Sequence, residues 1–453
     1  MGIQLLAVLN LCGNRKYLWL AGVSALALFQ GWPTFAQDRS ATSDAQASGT
    51  KAVDSAPIEL VVTGTHIQGG VVTGPVVEIT RSNIEAGGFS SISQALASLP
   101  MNFNGGVDVE TSGQGSGGRD NANINLGGAS SANLRGLGPE ATLVLLDGVR
   151  LPPKGDGVSV DLSLIPLSII SRIEVLADGA SAVYGSDAVG GVVNLITRHD
   201  FDGMETRFRY GEAEDGKPDY QASQLTGLNW AGGNIEIGYE HDDRGNIGSS
   251  HREATSGVNI PAYIYPEQQQ DSIFVDVDQI IQGNIHAFLE AFYSNRDTNQ
   301  IVSVEPPGSP GSENDLTKNK GGTAIFGLRN ETSNGWHLEA LGTYGRTQAV
   351  DDATADALLV SEGFASRQNT TETQTATSGE LRASRSLFPL PAGDVRVAFG
   401  TSYRSESASL NSTNGADHTF SRNIYSAYGE LGIPIVGANN ALPWIRSADL
   451  SAA

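Results

Sequence analysis

Cysteine is almost absent from this 453-residue chain: the single thiol is Cys12. One cysteine cannot build a disulfide framework or a thiolate metal site. Long apolar runs are missing too. The longest, residues 17–29, falls short of the roughly 20 residues that cross a bilayer as a helix. Basic residues are scarce, with 28 Lys and Arg against 50 Asp and Glu, for a net charge of −22. Such a chain repels phosphate backbones, which excludes nucleic acid as a partner. The seven histidines, His66, His199, His241, His251, His286, His337 and His418, are scattered. None has a second histidine four residues away on a helix, and none adjoins an acidic metal motif. The carboxylates are dispersed, so no catalytic residue, metal site or cofactor is assigned. What abounds is glycine, 55 residues, or roughly 12% against a usual ~7%. Hydrophobic residues make up only 39%, and mean hydropathy is −0.17. This composition suits a disordered chain, an extended β protein or a transmembrane β-barrel alike.

The N-terminus narrows the choice. Arg15 and Lys16 precede the apolar run, and Gly31-Trp32-Pro33-Thr34-Phe35-Ala36 follows it. A basic flank, a short apolar stretch and a small-residue site in that order are the marks of a secretory signal. The expected signal is 1–36, cleaved after Ala36, which also removes Cys12. Residues 37–57 are rich in Ala, Ser, Asp and Thr, offer nothing to bury and read as a flexible tether. The β-prone stretch Ile58-Glu59-Leu60-Val61-Val62-Thr63-Gly64-Thr65 comes next. It is either the first strand of the following domain or a strand that adds to the sheet edge of a partner.

Residues 66–200 read as a small α/β unit. A helix is expected over 91–99, with Ile92, Leu96 and Leu99 on one face and Pro100 as its stop. The near-continuous apolar run Thr142–Asp147 suits a strand buried on both faces, after which Gly148 turns the chain towards Arg150. Two more strands are expected at 172–176 and 191–197. Between them, 179–189 is mostly Gly, Ala and Ser around Tyr184, which suits close backbone approach. Residues 104–128 are dominated by Gly, Asn, Ser and Asp and read as a long surface loop. The loop holds Gly113-x-Gly115-x-x-Gly118, but no strand feeds it and no helix follows, so nucleotide binding is not inferred.

These segments carry a resemblance. Val61-Val62-Thr63-Gly64 is similar to the TonB box. Ala132-Asn133-Leu134-Arg135-Gly136-Leu137-Gly138, the run from Thr142 to Arg150 (TLVLLDGVR) and the run from Ile173 to Arg198 resemble the plug domain of TonB-dependent outer-membrane receptors. The resemblance implies a TonB box over 58–65, carried by Glu59, Leu60, Val61, Val62, Thr63, Gly64 and Thr65. It implies a plug over 66–200 whose motif positions are Arg135, Gly136, Asp147, Gly148, Arg150, Glu174, Tyr184, Gly185, Gly190, Gly191 and Asn194. It also implies a barrel of about 22 strands around the plug, in the outer membrane of a Gram-negative bacterium. The implied activity is energised import of a scarce ligand: a ferric siderophore, cobalamin or an oligosaccharide. The implied partners are that ligand, outer-membrane lipid, and TonB with the ExbB–ExbD proton-motive complex. By position, loops 104–128 and 152–159 are ligand-facing, with Arg119, Asp120, Asn121, Lys154 and Asp156 as candidate contacts. Arg135 and Arg150 read rather as plug hydrogen-bonding and lumen residues.

Residues 203–453 support a barrel independently. Barrel strands alternate apolar and polar residues over about 10 positions. Met204, Thr206, Phe208 and Tyr210 alternate with Glu205, Arg207 and Arg209. Ile235, Ile237 and Tyr239 alternate with Asn234, Glu236 and Glu240. Ile285, Ala287, Leu289, Ala291 and Tyr293 oppose Asn284, His286 and Glu290. Val395, Val397, Phe399 and Tyr403 oppose Arg396, Ser402 and Arg404, and Tyr425, Ala427, Leu431 and Ile433 form a fifth column. Short links are expected at 231–233, 282–283, 331–335, 387–394 and 437–442, and long polar loops at 243–270, 297–320 and 348–373. Trp230, Trp336 and Trp444 fall near strand ends, as interfacial girdle residues or as ordinary core aromatics. About eleven strands result, the last over 444–453. A closed single-chain barrel has an even number of strands, so the chain reads as the plug and N-terminal half of a receptor barrel. A small closed barrel of ten or twelve strands is the competing architecture. A passive porin or adhesin, or a non-functional fragment, is the competing function.

Overall fold

The computed structural model describes residues 63–67, 74–102, 129–153, 159–199, 201–255, 262–304, 311–361, 363, 365–413, 417–437, 439–441, 444–445 and 448–453. No helix among them is long and apolar enough to cross a membrane. The α/β region begins with β1 (Val76–Thr80) and α1 (Arg81–Ala86). Thr80 accepts the Asn83 N–H while the Asn83 side chain takes the Thr80 N–H, so two otherwise orphaned donors are satisfied reciprocally. Ser91 caps α2 (Ile92–Ala97), which buries Ile92 and Leu96. Next come β2 (Thr142–Leu146), β3 (Val149–Arg150), β4 (Ile170–Leu176), the single turn α3 (Ser181–Tyr184) and β5 (Gly191–Thr197).

The five strands form one mixed sheet in the order β1-β4-β5-β2-β3, with β2 and β5 parallel. All of β2 and all of β5 are buried. The two-residue period of a strand divides their side chains between two cores. Val144, Leu146, Ile173, Val175, Val193 and Leu195 join Ile92 and Leu96 on one side. Leu143, Leu145, Leu176 and Val192 join Tyr184 on the other. Between β2 and β3, Asp147 (φ 46°) and Gly148 (φ 76°) both lie in the left-handed region. Two consecutive positive φ values are the requirement of a type I′ hairpin turn, which Asp-Gly meets.

Among the described residues from 203 onward, eleven strands form one antiparallel sheet. Its strands are β6 (Gly203–Gly211), β7 (Asp219–Trp230) and β8 (Gly233–Arg244), then β11 to β18. A separate two-stranded ribbon, β9 (Ile247–Gly248) with β10 (Tyr263–Tyr265), stands between β8 and β11. β11 (Glu267–Gln282), β12 (Ile285–Val304), β13 (Gly311–Glu331) and β14 (Trp336–Ala355) follow. After the short helix α4 (Ala357–Ser361) come β15 (Arg367–Leu390), β16 (Gly393–Ser412), β17 (His418–Val436) and β18 (Ala448–Ala452). Each strand of this sheet pairs with the next along the chain, and β6 and β18 are its two edges. One face is apolar and open: Phe208, Ile237, Tyr239, Leu289, Tyr293, Phe399 and Tyr425 are all exposed. The other face is polar and covered, with Asn234, Glu236, Glu240, Glu290 and Glu430 buried. The first of the two α/β cores extends into this wall, because Phe274, Phe292, Ile325 and Leu341 pack into it.

Four expectations are corrected. The stretches 297–320 and 348–373 are not simply loops: β12 runs to Val304, β13 starts at Gly311, β14 runs to Ala355 and β15 starts at Arg367. In these extensions polar residues predominate and the few apolar ones, such as Ile301, Val302, Leu316 and Val350, do not alternate regularly, while the backbone ladder continues. Asp297 faces Lys318 across it, for example. The link at 387–394 narrows because β15 reaches Leu390 and β16 begins at Gly393, and the last strand begins at Ala448. Val395, grouped with the outward column, is only 4% exposed. It lies where the β15 register shifts between Ser386 and Phe388, and a bulge re-aims side chains there.

The two faces predict different responses to charge. Leu289→Arg on the apolar face is expected to lower stability in lipid vesicles by about 2–4 kcal/mol if that position lies near the bilayer midplane. Ser426→Arg on the polar face is expected to change it little. Denaturant titration of both variants folded into vesicles checks this.

Candidate functional site

The β4–β5 register sets Glu174 directly opposite Asn194, so both side chains emerge on the same face of the sheet. Asn194 is wholly buried, and its amide is used at both ends. Its oxygen accepts from Gly148 N at 3.0 Å, and its nitrogen donates to Thr63 Oγ1 at 2.9 Å. The Thr63 hydroxyl in turn donates to Glu174, whose other oxygen is held by Arg172 Nε at 2.7 Å. Gly64 lies at φ 105°, a conformation that strains any residue bearing a Cβ. Its N–H donates to the Tyr184 hydroxyl at 3.2 Å. Tyr184 is fixed by Arg150, which donates to the Tyr184 carbonyl and, at 2.7 Å, to Asp187.

The same short segment then reaches the wall. Thr65 donates to Glu430 Oε1 at 2.5 Å, and His66 N donates to Glu430 Oε2 at 2.7 Å. The Thr65 hydroxyl also accepts from Ile67 N at 3.0 Å. The His66 ring stacks on Tyr428 with centroids 4.0 Å apart, and meets Tyr184 edge-on at 5.2 Å. Its Nε2 lies 3.3 Å from the Val183 carbonyl, which can only accept, so Nε2 carries the proton. Burial first, and then the charge of Arg382, push the His66 pKa down to about 4. The ring is therefore neutral at neutral pH. Residues 63–67 are thus clipped across two elements almost entirely by polar bonds, with Ile67 the one buried aliphatic side chain. Each such bond contributes about 1 kcal/mol net, so the clip can be undone without dismantling a core.

Of the proposed box, Thr63, Gly64 and Thr65 lie in this clip, while Glu59, Leu60, Val61 and Val62 lie outside the described residues. Gly148, Arg150, Glu174, Tyr184 and Asn194 converge on it. Gly185 (φ 83°) ends α3 behind Tyr184. Gly191 sits below, where a Cβ would come within 2.5 Å of the Leu176 carbonyl oxygen. A Cβ on Gly190 would meet the Ala141 carbonyl oxygen at 2.9 Å. Asp147 faces away, bonding the Thr197 hydroxyl at 2.6 Å. Arg135 (φ 62°) and Gly136 (φ 70°) make a separate turn in which Arg135 N donates to Met101 O at 2.8 Å. Arg119, Asp120, Asn121, Lys154 and Asp156 lie outside the described residues. Sequence reading missed His66, Tyr428 and Glu430. Alternation in β17 places Tyr428 and Glu430 opposite Tyr425 and Leu431, but nothing local pairs them with residues about 365 positions earlier. Among the described residues, no group of three or more His, Cys, Asp or Glu could hold a metal ion.

Residues 71–192 match the family model described as the TonB-dependent receptor plug domain. Three solved structures share the wider fold. The ferric citrate transporter FecA in its unliganded form is 14% identical with a TM-score of 0.52, over 80% of this chain and 60% of that one. The ferric yersiniabactin uptake receptor FyuA from Yersinia pestis is 11% identical with a TM-score of 0.53, over 81% and 62%. A mutant of the ferric enterobactin receptor PfeA from Pseudomonas aeruginosa is 17% identical with a TM-score of 0.58, over 80% and 56%. The chain therefore spans about 60% of the length of the solved chains it matches.

Two outcomes follow from the clip. Glu430→Ala strands the Thr65 hydroxyl and the His66 N–H, a cost of about 1–3 kcal/mol. Hydrogen exchange at His66 should accelerate by roughly ten- to a hundredfold. Acid should act in the same direction. The depressed His66 value means that the docked ring refuses a proton which the released ring accepts. Docking is thus fully favoured above about pH 6.5 and weakens by up to tenfold per unit as pH falls towards about 4. His66→Phe, which cannot titrate, should remove that acid-dependent increase in exchange.

Proposed function

We propose that this chain, which carries a TonB-dependent receptor plug domain ahead of eleven strands with the barrel fold of such receptors, serves energised import across the outer membrane of a Gram-negative bacterium. The clip at Thr63–Ile67 is the observation that carries this reading. A coupling segment must be retained at rest and surrendered on demand. One fastened by side-chain hydrogen bonds to Glu174, Asn194, Tyr184 and Glu430 meets both needs. Ligand binding on the far side would shift the plug, weaken these bonds and free 58–65. The freed segment, rich in Leu, Val and Thr, would then pair with the sheet edge of TonB. The ExbB–ExbD complex would supply the pull. Because the clip bonds form along one short stretch, tension from the N-terminal side breaks them in turn rather than together.

The scarce ligand we favour is a ferric siderophore, because the receptors that share the fold are named for ferric chelates; cobalamin and an oligosaccharide are the other candidates. Arg119, Asp120, Asn121, Lys154 and Asp156 are proposed as its contacts, from the polar stretches 104–128 and 152–159 of the sequence. No enzyme chemistry is assigned: the neighbours in fold are receptors and transporters.

The test is deletion of residues 58–65 in cells carrying the whole gene. Uptake of the radiolabelled ligand, identified from a panel of iron chelates, cobalamin and glycans, should vanish while binding to whole cells persists. Uptake that continues unchanged would identify a passive pore instead.

A further inference from the structure

On the polar face of the wall, Glu236 of β8, Asp276 of β11 and Glu290 of β12 occupy one row. Asp276 is the register partner of both Glu236 and Glu290. The three are 0%, 5% and 5% exposed, respectively. Like charges directly opposite on neighbouring strands repel, and burial magnifies the repulsion. The plug brings a fourth carboxyl, Asp147 of the β2–β3 turn, within electrostatic range of Glu290. Two ionised carboxylates have no donor to offer one another, and a proton on one of them supplies it.

Compensating charge is thin. Arg198 lies within range of Glu236, but its guanidinium is engaged by Glu205 at 2.8 and 3.2 Å. His199 is the cation inside the cluster. Its Nδ1 is 3.1 Å from Asp276 Oδ2 and its Nε2 is 3.4 Å from Asp147 Oδ1. The Thr197 hydroxyl, which donates to Asp147, also lies 3.1 Å from Nε2, so both ring nitrogens face acceptors, the surroundings of a doubly protonated ring. Glu236 accepts the Phe201 N–H at 2.6 Å on one oxygen. Its other oxygen, like Oε1 of Glu290, is buried with no hydrogen-bond partner. The next row is balanced by contrast, because Asp278 meets both His286 at 2.8 Å and Arg329 at 3.0 Å. The deficit of positive charge is local to Glu236, Asp276, Glu290 and Asp147.

We propose that Glu290 and His199 form a proton-binding site between plug and wall, in which a proton on Glu290 bridges to Asp147 and the protonated imidazole bridges Asp147 to Asp276. The β2–β3 turn is fastened to β11 and β12 while both protons are held. Loss of the Glu290 proton places two carboxylates in repulsion, and loss of the imidazole proton breaks the bridge between Asp147, which keeps its Thr197 donors, and Asp276. Burial alone would lower the His199 value, but Asp147 and Asp276 outweigh it and hold it well above the usual histidine range. Burial raises Asp147, yet His199 and the Thr197 hydroxyl bring it below the usual carboxylate range. The sign follows. A raised histidine contributes fully below about pH 6.5 and its contribution is lost as pH rises through the folded value. The fastening therefore loosens on the alkaline side, opposite to the clip at His66. Asp147 adjoins Gly148, whose N–H holds Asn194 and through it Thr63, so the proton site and the clip share one turn. Only the consequence for import rests on the proposed function; the proton site itself does not.

The test uses the full chain in lipid nanodiscs at about pH 6 and about pH 9, either side of the histidine range. Infrared difference spectra should show a protonated carboxyl band at the lower pH that is lost at the higher, and that is absent from Glu290→Gln. Hydrogen exchange at 146–150, corrected for its intrinsic pH dependence, should rise about tenfold or more in the wild-type protein. In Glu290→Gln it should rise less, because the amide donates to Asp147 without a proton to lose. Absence of the band from the wild-type protein at about pH 6 overturns the proposal, whether or not the variant folds. So does loss of the band in Glu236→Gln but not in Glu290→Gln, or an identical pH response in wild type and Glu290→Gln. Cells need not transport anything for these readouts, so failure of the import reading would leave them unchanged.

Discussion

A strand shows alternate side chains to opposite faces, and an eleven-stranded wall that turns its apolar face outward must turn a polar face inward. The plug is held against that inner face, and nearly every feature of the molecule follows from it. The wall contributes a small apolar window, Phe274, Phe292, Ile325 and Leu341. Beyond that window and the His66–Tyr428 ring stack, many of the contacts between plug and wall are polar side chains meeting backbone or one another. Glu240 takes the N–H groups of Leu167 and Ser168 at 3.3 and 2.9 Å. Arg296, 1% exposed at its side chain, pairs with Asp161 at 3.1 Å. Glu430 takes Thr65 and His66. A plug packed wholly by apolar contact would be fixed by continuous burial, whereas one held by hydrogen bonds can be shifted by exchanging partners, including water.

Burying polar partners has a second consequence: they must all be satisfied. Asn194 illustrates success, with its oxygen on Gly148 and its nitrogen on Thr63. The row of Glu236, Asp276 and Glu290 illustrates the opposite case, in which charges of one sign outnumber their compensation and protons make up the difference. The two sites are mechanically close because Asp147 and Gly148 are neighbours in a two-residue turn. Any displacement of that turn acts on both. The opposed pH dependences of His66 and His199 have one physical origin, since burial disfavours either charged ring and only His199 has carboxylates at both nitrogens.

The plug's inner chemistry was largely legible before folding was considered. Thr142–Leu146 is apolar without alternation, which signals burial on both faces, and Asp147-Gly148 can form a tight hairpin turn because both residues tolerate positive φ. The outward columns in β6, β8, β12 and β17 were equally clear, because an apolar residue recurs there at every second position. Strand ends were not. Once β12 to β15 extend past the apolar zone, polar residues predominate and the regular apolar column stops. The ladder is then maintained by backbone hydrogen bonds that leave no mark on side-chain type. The capped helix α1 also escaped notice, as Thr80 and Asn83 form a short and undistinguished signal.

The sequence by itself determined the class of each face, the turns that require glycine, the count of wall strands and the segment bearing the box resemblance, because these depend on neighbours one to four residues apart. Tertiary structure alone decided which residues meet across the interior. Glu430 reaches Thr65, Glu290 reaches Asp147, and His199 stands between two carboxylates, at separations of roughly 50 to 370 positions. No local period encodes such pairs. They arise when the order and register of the wall strands bring a polar inner face against a folded plug, and it is there that the clip and the proton site are made.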